Sequence, residues 1–238
     1  MIDKIACEKK LRQGLMMMDI QLTDKKIIQL IQYLEEFHKW NKAYNLSAVR
    51  EPLAMVERHL LDSLVLVPLL KKAVEESQQQ EKKLNRIIDV GTGGGLPGIP
   101  LAIVFPEINF FLLDSNGKKT RFLFQVKTSL KLSNIVIENT RVENYQPEKK
   151  FNIVISRAFS SLKDMVVGTA HLLEEQGRFW AMKGIYPENE LRDCEKHAIV
   201  DAFTSLGIPN FEGERHLLIL KPVLNPIKQG LINGLDVS

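Results

Sequence analysis

The chain has 238 residues, enough for one sizeable α/β domain with a small addition. Hydrophobic residues make up 45% and charged residues 26%, as in ordinary globular proteins, and the net charge of +3 permits nucleic acid as a partner without requiring it. The two cysteines lack metal-like spacing, and the sequence shows no secretory signal and no apolar run of roughly 20 residues. We therefore expect a soluble, cytoplasmic protein with no membrane or metal partner.

Two helices and a polar stretch are predicted before residue 84. Asp24 can cap the first helix, in which apolar residues recur at helical spacing as far as Trp40. Pro52 opens the second helix, which runs to Leu70. Residues 75–83 are polar and of low complexity. We therefore interpret residues 1–83 as an N-terminal helical extension and linker.

Strands and helices alternate from Leu84 onward. This alternation predicts an α/β fold with a mostly parallel sheet flanked by helices, over residues 84–224. Residues 225–238 have little pattern, and we expect a fraying C-terminal tail there. The predicted strands are 86–90, 109–114, 134–138, 151–156, 177–182 and 215–220, and the predicted helices are 97–105, 117–131, 161–174 and about 187–206.

The most informative motif is a glycine-rich turn that follows the first of these strands. Four of the five residues 91–95 are glycine, which lets the backbone turn sharply and lets a ligand lie against bare peptide. Asp89 ends the strand before the turn, and Asp114 ends the next strand, where a carboxylate can accept hydrogen bonds from ribose hydroxyls. Together these features indicate a cofactor that contains adenosine.

Two cofactors fit this turn. The spacing G-x-G-x-G over residues 91–95 is common in S-adenosylmethionine (SAM) methyltransferases, whereas G-x-G-x-x-G over residues 93–98 also satisfies the dinucleotide pattern. Pro97 lacks an N–H and restricts Leu96, which suits a tight pyrophosphate cradle poorly. Asp89 can interact with the amino-acid end of SAM. Both observations favour SAM, and an NAD-binding oxidoreductase stays as the alternative.

Seven stretches occur in an order and at a spacing that resemble a known family. Over residues 30–222 the chain resembles the bacterial small-subunit ribosomal RNA guanine-N7 methyltransferases, formerly called glucose-inhibited division protein B. The resemblance implies a Rossmann-like SAM methyltransferase domain with a short N-terminal helical extension, which methylates N7 of one guanosine in 16S rRNA. The stretches are NKAYNLSAVREP (41–52), RHLLDSL (58–64), DVGTGGGLPGIPLA (89–102), LLDSNGKKTRFL (112–123), RVE (141–143), ISRAFSSL (155–162) and AMKG (181–184).

The resemblance also implies a set of cofactor-binding residues at or near the strand ends. Gly91 would let the methionine part of SAM approach the backbone, and Leu96 would offer an apolar wall. Asp114 matches the ribose-binding acid of the wider methyltransferase class. The implied SAM site consists of Gly91, Leu96, Val142, Glu143 and Arg157, together with Asp114.

Methylation of guanine N7 needs no general base, because N7 carries a lone pair and no proton. Holding N7 in line with the methyl group can supply most of the acceleration. Arg157 is a planar donor for the SAM carboxylate or guanine O6, and Lys183 can hold a phosphate or the base, so we predict both as catalytic residues. Lys183 can equally be a solvated lysine. Phe159 can stack on a flipped base or pack in the core.

Candidate RNA contacts lie on one predicted helix and in the N-terminal motif. Lys118 and Arg121 can bind phosphates, together with Lys119, Lys127 and Lys131, although such a run is usually the solvated side of a helix. Asn45 and His59 belong to the N-terminal motif. His59 and Asp62 have the spacing of a catalytic dyad, but we interpret them as polar groups that lock the N-terminal helices against the sheet and border an RNA cleft.

The predicted partner is 16S rRNA within the 30S ribosomal subunit, and we expect a monomer. Three other functions are open at this point. The chain can be a SAM methyltransferase with a small-molecule or protein substrate, an NAD-binding oxidoreductase, or a ribosome-assembly factor without catalytic activity.

Overall fold

A seven-stranded sheet runs through the computed structural model, which describes residues 2–157, 159 and 161–223. The strands lie in the order β3-β2-β1-β4-β5-β7-β6, and β7 is antiparallel to both of its neighbours while the other pairs are parallel. The predicted mostly parallel α/β sheet is confirmed. The strands are β1 (Arg86–Val90), β2 (Asn109–Leu113), β3 (Ile135–Glu138), β4 (Phe151–Ser156), β5 (Leu173–Lys183), β6 (Ala198–Ser205) and β7 (His216–Pro222).

Helices cover both faces of this sheet. The N-terminal helices, α6 and α7 pack on one face in a core that includes Phe37, Ile87 and Phe122. Helices α8 and α9 pack on the other face, against Ile88 and Leu218. The helices are α1 (Lys4–Met17), α2 (Asp24–Tyr44), α3 (Pro52–Met55), α4 (Asp62–Leu64), α5 (Val67–Gln79), α6 (Gly98–Val104), α7 (Gly117–Ser129), α8 (Leu162–Thr169) and α9 (Glu188–Cys194), with a π-helical turn at Val56–Leu61 and 3₁₀ turns at Val142–Asn144 and Ala170–Leu172.

The strand order reverses at β1, which lies between β2 and β4. In open α/β sheets a crevice forms at such a point, outside the carboxyl ends of the strands, and ligands bind there. The glycine-rich turn follows the carboxyl end of β1, and Arg157 follows the carboxyl end of β4. The topology therefore brings the motifs that the sequence singled out to one edge of the sheet.

Beyond Cys194 the predicted helix over 187–206 is wrong. Helix α9 ends at Cys194, and Ala198–Ser205 form β6, which pairs with β7 along its length. The segment AIVDAFTS is rich in residues that fit a pleated surface, and its apolar side chains Ile199 and Phe203 are exposed rather than packed on a helix face. The predicted helix over 161–174 likewise ends early, because β5 already begins at Leu173.

The second N-terminal helix is broken where the sequence predicted one element. A π-helical turn interrupts it at Val56–Leu61, and α5 continues to Gln79 through residues predicted as linker. The ion pairs Lys71–Glu75 and Lys72–Glu76, at i,i+4 spacing, support α5 along this polar stretch. The predicted tail over 225–238 lies outside the described residues. Among the helices that are described, none is long and apolar enough to cross a membrane.

Helix α2 packs directly on the glycine-rich turn. The buried Tyr33 hydroxyl donates a hydrogen bond of 2.7 Å to the Gly94 carbonyl. An added Cβ at Gly94 would lie 2.3 Å from Cε2 of Phe37, so any residue other than glycine forces that ring to move. The N-terminal helices therefore share one apolar core with the sheet and shape the turn that follows β1.

We expect Gly94→Ala to lower the free energy of unfolding by about 1–3 kcal/mol, because Phe37 must move to admit the methyl group. Gly168→Ala is the matched control, since Gly168 lies in α8 and an added Cβ there meets nothing within 4 Å. The control should gain about 0.4–1 kcal/mol. Urea unfolding of both variants measures the difference, and equal stabilities would contradict the packing described.

Candidate active site

A cavity of about 300 Å³ opens at the carboxyl ends of β1 and β2. Four of the predicted cofactor residues line it: Gly91, Asp114, Val142 and Glu143. Gly91 is exposed and has a φ of 69°, in the left-handed region that favours glycine. The cavity is lined by Val90, Gly91, Leu113, Asp114, Ser115, Lys119, Thr140, Arg141, Val142, Glu143 and Phe159.

Asp114 connects the glycine-rich turn to the start of α7. Its Oδ2 accepts a hydrogen bond of 2.9 Å from the Gly93 N–H, and its Oδ1 accepts one of 2.8 Å from the Asn116 N–H. The Lys119 Nζ lies 3.7 Å from Oδ2. Each carboxylate oxygen has a second lone pair, so Asp114 keeps acceptor capacity toward hydroxyl groups in the cavity.

Asp89 holds the turn together from within. Its Oδ2 accepts hydrogen bonds from the Thr92 hydroxyl at 2.7 Å and from the Gly98 N–H at 2.9 Å. Burial raises the pKa of Asp89 to about 6, although these two hydrogen bonds favour the charged form. Its Oδ1 is buried without a hydrogen-bond partner in the described part of the chain. Asp89 does not line the cavity, so its contact with the amino-acid end of SAM stays a prediction.

Leu96 and Arg157 do not line this cavity, although the family resemblance implied both as SAM-binding residues. Leu96 is buried in the apolar core beside α6, so its side chain forms no wall of the cavity as described. The Arg157 side chain binds Asp62 in α4, on the side of the N-terminal helices. Arg157 therefore lies at the rim of the crevice, between the sheet and the helical extension.

Asp62 is bound by a second arginine that sequence reasoning missed. The Arg215 Nε donates a hydrogen bond of 2.6 Å to Asp62 Oδ1, while Arg157 bonds to Oδ2. Arg215 precedes β7 and is 153 residues from Asp62 along the chain. No local spacing signals such a pair, because only the fold brings these segments together.

His59 is in the core and is not placed to contact RNA. Its side chain is buried, its ring lies 5.1 Å from that of Phe37, and neither ring nitrogen has a hydrogen-bond partner among the described residues. Burial lowers the pKa of His59 to about 4, so the ring is neutral at pH 7. Because Asp62 binds the two arginines, it does not form a hydrogen-bonded dyad with His59.

Lys183 is tied to its surroundings at the end of β5. Its Nζ lies 2.7 Å from Oε2 of Glu190 and 3.4 Å from the Phe159 carbonyl. The same Glu190 oxygen accepts a hydrogen bond of 2.8 Å from the Leu162 N–H at the start of α8. Lys183 is thus not a freely solvated lysine, and Glu190 is a partner that the sequence did not indicate. Phe159 lines the cavity and is partly exposed.

The other predicted RNA residues are on the surface. Asn45 is exposed and its side chain accepts a hydrogen bond from Arg50. Lys118 and Arg121 are exposed in the first turns of α7, whereas Lys119 lines the cavity. Their contact with RNA stays a prediction.

Solved structures share the fold of this chain. A SAM-dependent methyltransferase from Thiobacillus denitrificans, in complex with S-adenosyl-L-homocysteine, matches with a TM-score of 0.52 at 10% identity and covers 79% of this chain and 98% of its own. TrmN from Thermus thermophilus matches with a TM-score of 0.50 at 15% identity, over 71% of this chain and 53% of its own. The Rossmann-like methyltransferase fold implied by the resemblance is confirmed.

Sequence comparisons give a closer relationship. A protein from Cellvibrio japonicus named ribosomal RNA small subunit methyltransferase G is 53% identical over 90% of this chain and 94% of its own length. A protein of the same name from Saccharophagus degradans is 50% identical over 89% of this chain and 90% of its own. The family GidB, described as rRNA small subunit methyltransferase G, matches residues 26–218. The chain therefore belongs to this family of SAM-dependent methyltransferases.

Proposed function

We propose that this enzyme transfers the methyl group of SAM to N7 of one guanosine in 16S rRNA of the small ribosomal subunit. The observation that carries the proposal is the cavity at the carboxyl ends of β1 and β2, where Gly91, Asp114, Val142 and Glu143 meet in a chain of this family. The names of the relatives from Cellvibrio japonicus and Saccharophagus degradans support small-subunit rRNA as the substrate. We place the reaction in the cytoplasm.

The residues around the cavity fit SAM. We assign the methionine part to the exposed backbone at Gly91, the ribose hydroxyls to the remaining lone pairs of Asp114, and the adenine ring to Val142 and Glu143. Lys119 limits the negative charge beside the ribose position. When bound, SAM supplies an electrophilic methyl group on a positively charged sulfur.

The described residues suit a reaction without proton abstraction. Guanine N7 attacks through a lone pair, so the protein needs to hold the ring in line with the methyl carbon at about 3–3.5 Å. His59 is buried and neutral, with a depressed pKa that makes it a poor base, and Lys183 is held by Glu190. We assign Arg157 to the guanine O6 or to the SAM carboxylate, and Lys183 to positioning near the base.

We assign the RNA contacts to the exposed side chains around the crevice. Lys118 and Arg121 on α7 would bind phosphates, and Asn45 would border the cleft beside the N-terminal helices. His59 would act only by supporting this region from the core. A small protein with few basic contacts gains specificity from RNA shape, so we propose the 30S particle as the substrate and a monomer as the active form.

Methyl transfer from radiolabelled SAM tests the function directly. We expect incorporation into 16S rRNA in the 30S subunit, and borohydride–aniline scission at a single guanosine, because this treatment cleaves at 7-methylguanosine and leaves unmodified guanosine intact. Naked 16S rRNA in a parallel assay separates the two forms of substrate. Without incorporation into either form despite SAM binding, the substrate must belong to another class.

Glu143→Ala tests the assigned adenosine site. Glu143 is exposed, so we expect its loss to raise the Kd for SAM about tenfold without changing the free energy of unfolding. Glu148→Ala is the control, since Glu148 is also exposed but precedes β4, away from the carboxyl ends of the strands. Calorimetric titration with SAM gives the Kd of each variant, and urea unfolding gives its free energy of unfolding. Equal affinities in the two variants would show that Glu143 does not bind the cofactor.

The pH dependence of stability tests the charge states of Asp89 and His59. The folded protein binds the Asp89 proton more tightly than the unfolded chain, because the pKa rises from 3.8 to about 6, so this group makes unfolding easier as pH rises through that range. His59 acts in the opposite direction, because its pKa falls from 6.5 to about 4, so its contribution to stability is lost as pH falls below 6.5.

We expect these two contributions to oppose each other in the wild type between about pH 4 and 6.5. As pH rises, the free energy of unfolding of Asp89→Asn should increase relative to that of the wild type. The free energy of unfolding of His59→Leu should decrease relative to that of the wild type. Each change should be at most about 1.4 kcal/mol per pH unit. Urea unfolding across this range measures both slopes. Parallel curves for wild type and His59→Leu would mean that His59 is protonated normally in the folded state.

A further inference from the structure

Asp62 is a buried carboxylate shared by two arginines from different parts of the fold. It is 1% exposed and lies in α4, directly after the π-helical turn. Arg157 reaches it from the end of β4, and Arg215 reaches it from the segment before β7. One carboxylate thus fixes two guanidinium groups at the carboxyl edge of the sheet.

The cluster carries a net positive charge, because one carboxylate faces two guanidinium groups. The side chains of Arg157 and Arg215 are 27% and 25% exposed, so both reach solvent. Each uses one of its nitrogens on Asp62, and the other N–H groups have no hydrogen-bond partner in the described part of the chain. The neighbouring acid Glu214 is directed to His216, with 3.8 Å between Oε2 and Nε2.

Arg215 is held in a defined orientation. Its Cζ lies 5.0 Å from the centre of the Phe211 ring, and its Nε is fixed by Asp62. The next residue, His216, pairs with Lys183 at the carboxyl end of β5, which puts Arg215 at the same edge as the proposed catalytic residues. An oriented guanidinium whose remaining N–H groups have no partner among the described residues matches the geometry of an oxyanion such as phosphate.

We propose that Arg215 binds a backbone phosphate of the RNA next to the target guanosine, and that Asp62 is the positioning residue that sets Arg215 and Arg157 together. This inference rests on the proposed function. Arg157 follows β4, which is next to β1, whereas Arg215 precedes β7, three strands from β1 in the sheet, so we assign the RNA phosphate rather than the cofactor carboxylate to Arg215. Asp62 thereby connects Arg215, which would bind the RNA phosphate, to Arg157, which would lie beside the reacting base.

The test measures RNA binding to the full chain as a function of salt. We expect Arg215→Gln to raise the Kd for 30S subunits about tenfold. The slope of log Kd against log salt concentration should fall by the amount expected for the loss of about one phosphate contact. The Kd for SAM should stay unchanged. Arg215→Lys should keep most of the salt slope but lose part of the affinity, because lysine keeps the positive charge but lacks the planar guanidinium that donates two parallel hydrogen bonds.

Arg178→Gln is the matched control. Arg178 also donates from Nε to an aspartate, Asp201, at 2.6 Å and is 29% exposed, but it lies midway along β5, away from the carboxyl end of that strand where Lys183 lies. We expect its removal to change neither the Kd for 30S subunits nor the salt slope. An equal change in both variants would mean that Arg215 acts only through overall charge, and would overturn the proposal.

A double-mutant cycle tests the role of Asp62. Asp62→Asn should lower the salt slope and, once Arg215→Gln is present, should lower it no further, because both changes remove the same contact. Asp62→Asn should also lower kcat through Arg157. The proposed phosphate site would be contradicted if the changes in salt slope caused by Asp62→Asn and Arg215→Gln add in the double variant. It would also be contradicted if Arg215→Gln weakens SAM binding instead of RNA binding.

The binding assay separates this inference from the proposed function. A wild-type protein that binds 30S subunits but transfers no methyl group to them would contradict the function, while the salt slopes of the variants still test Arg215. A wild-type protein that methylates the rRNA, with an unchanged slope in Arg215→Gln, would contradict only the inference.

Discussion

The structure depends on how the glycine-rich turn after β1 is held. Asp89 accepts hydrogen bonds from Thr92 in the turn and from Gly98 at the start of α6, and Asp114 accepts one from the Gly93 N–H. From the opposite side, Tyr33 in α2 donates to the Gly94 carbonyl. Each of these hydrogen bonds involves a buried group that would cost free energy if left unpaired. The turn is therefore fixed from both the sheet and the N-terminal helices before any cofactor binds.

Charges of opposite sign are separated along the carboxyl edge of the sheet. Asp89 and Asp114 lie around the turn, where the proposed cofactor brings a cationic sulfur. The cations Arg157, Lys183 and Arg215 lie farther along, where the proposed substrate brings phosphates and an electron-rich base. The buried Asp62 binds the two arginines and the partly exposed Glu190 binds Lys183, so the edge is polarised without leaving these charges unpaired.

Local patterns in the sequence were enough to predict the centre of the fold. The bounds of β1 and β4 agree with the prediction, and the turn and Asp114 lie at the predicted edge, because each is signalled by neighbouring residues. Strand β6 was missed because its apolar residues face solvent at the sheet edge, so their spacing carries no burial signal. The burial of Leu96 and His59 was missed because it depends on helices packed from distant segments.

The ion pairs at the edge were beyond prediction for a related reason. Asp62 and Arg215 are 153 residues apart, and Lys183 binds a glutamate in the following helix rather than a group on its own strand. Sequence spacing reports which residues share a face of one element, whereas these pairs join different elements. The motifs around Asp62 and Lys183 were recognised as functional, but their partners became visible only in the fold.

The N-terminal helices take part in both halves of the proposed reaction. Helix α2 fixes the turn through Tyr33 and Phe37, and α4 fixes the arginines at the rim through Asp62. In-line attack requires N7 and the methyl carbon to approach within about 3–3.5 Å, so small shifts between the two sites would cost rate. Because the proposed transfer to N7 needs no general base, this alignment would be the main contribution the protein makes. In the proposed reaction, the helical extension and the sheet would therefore act as a single frame that holds cofactor and substrate at a fixed separation.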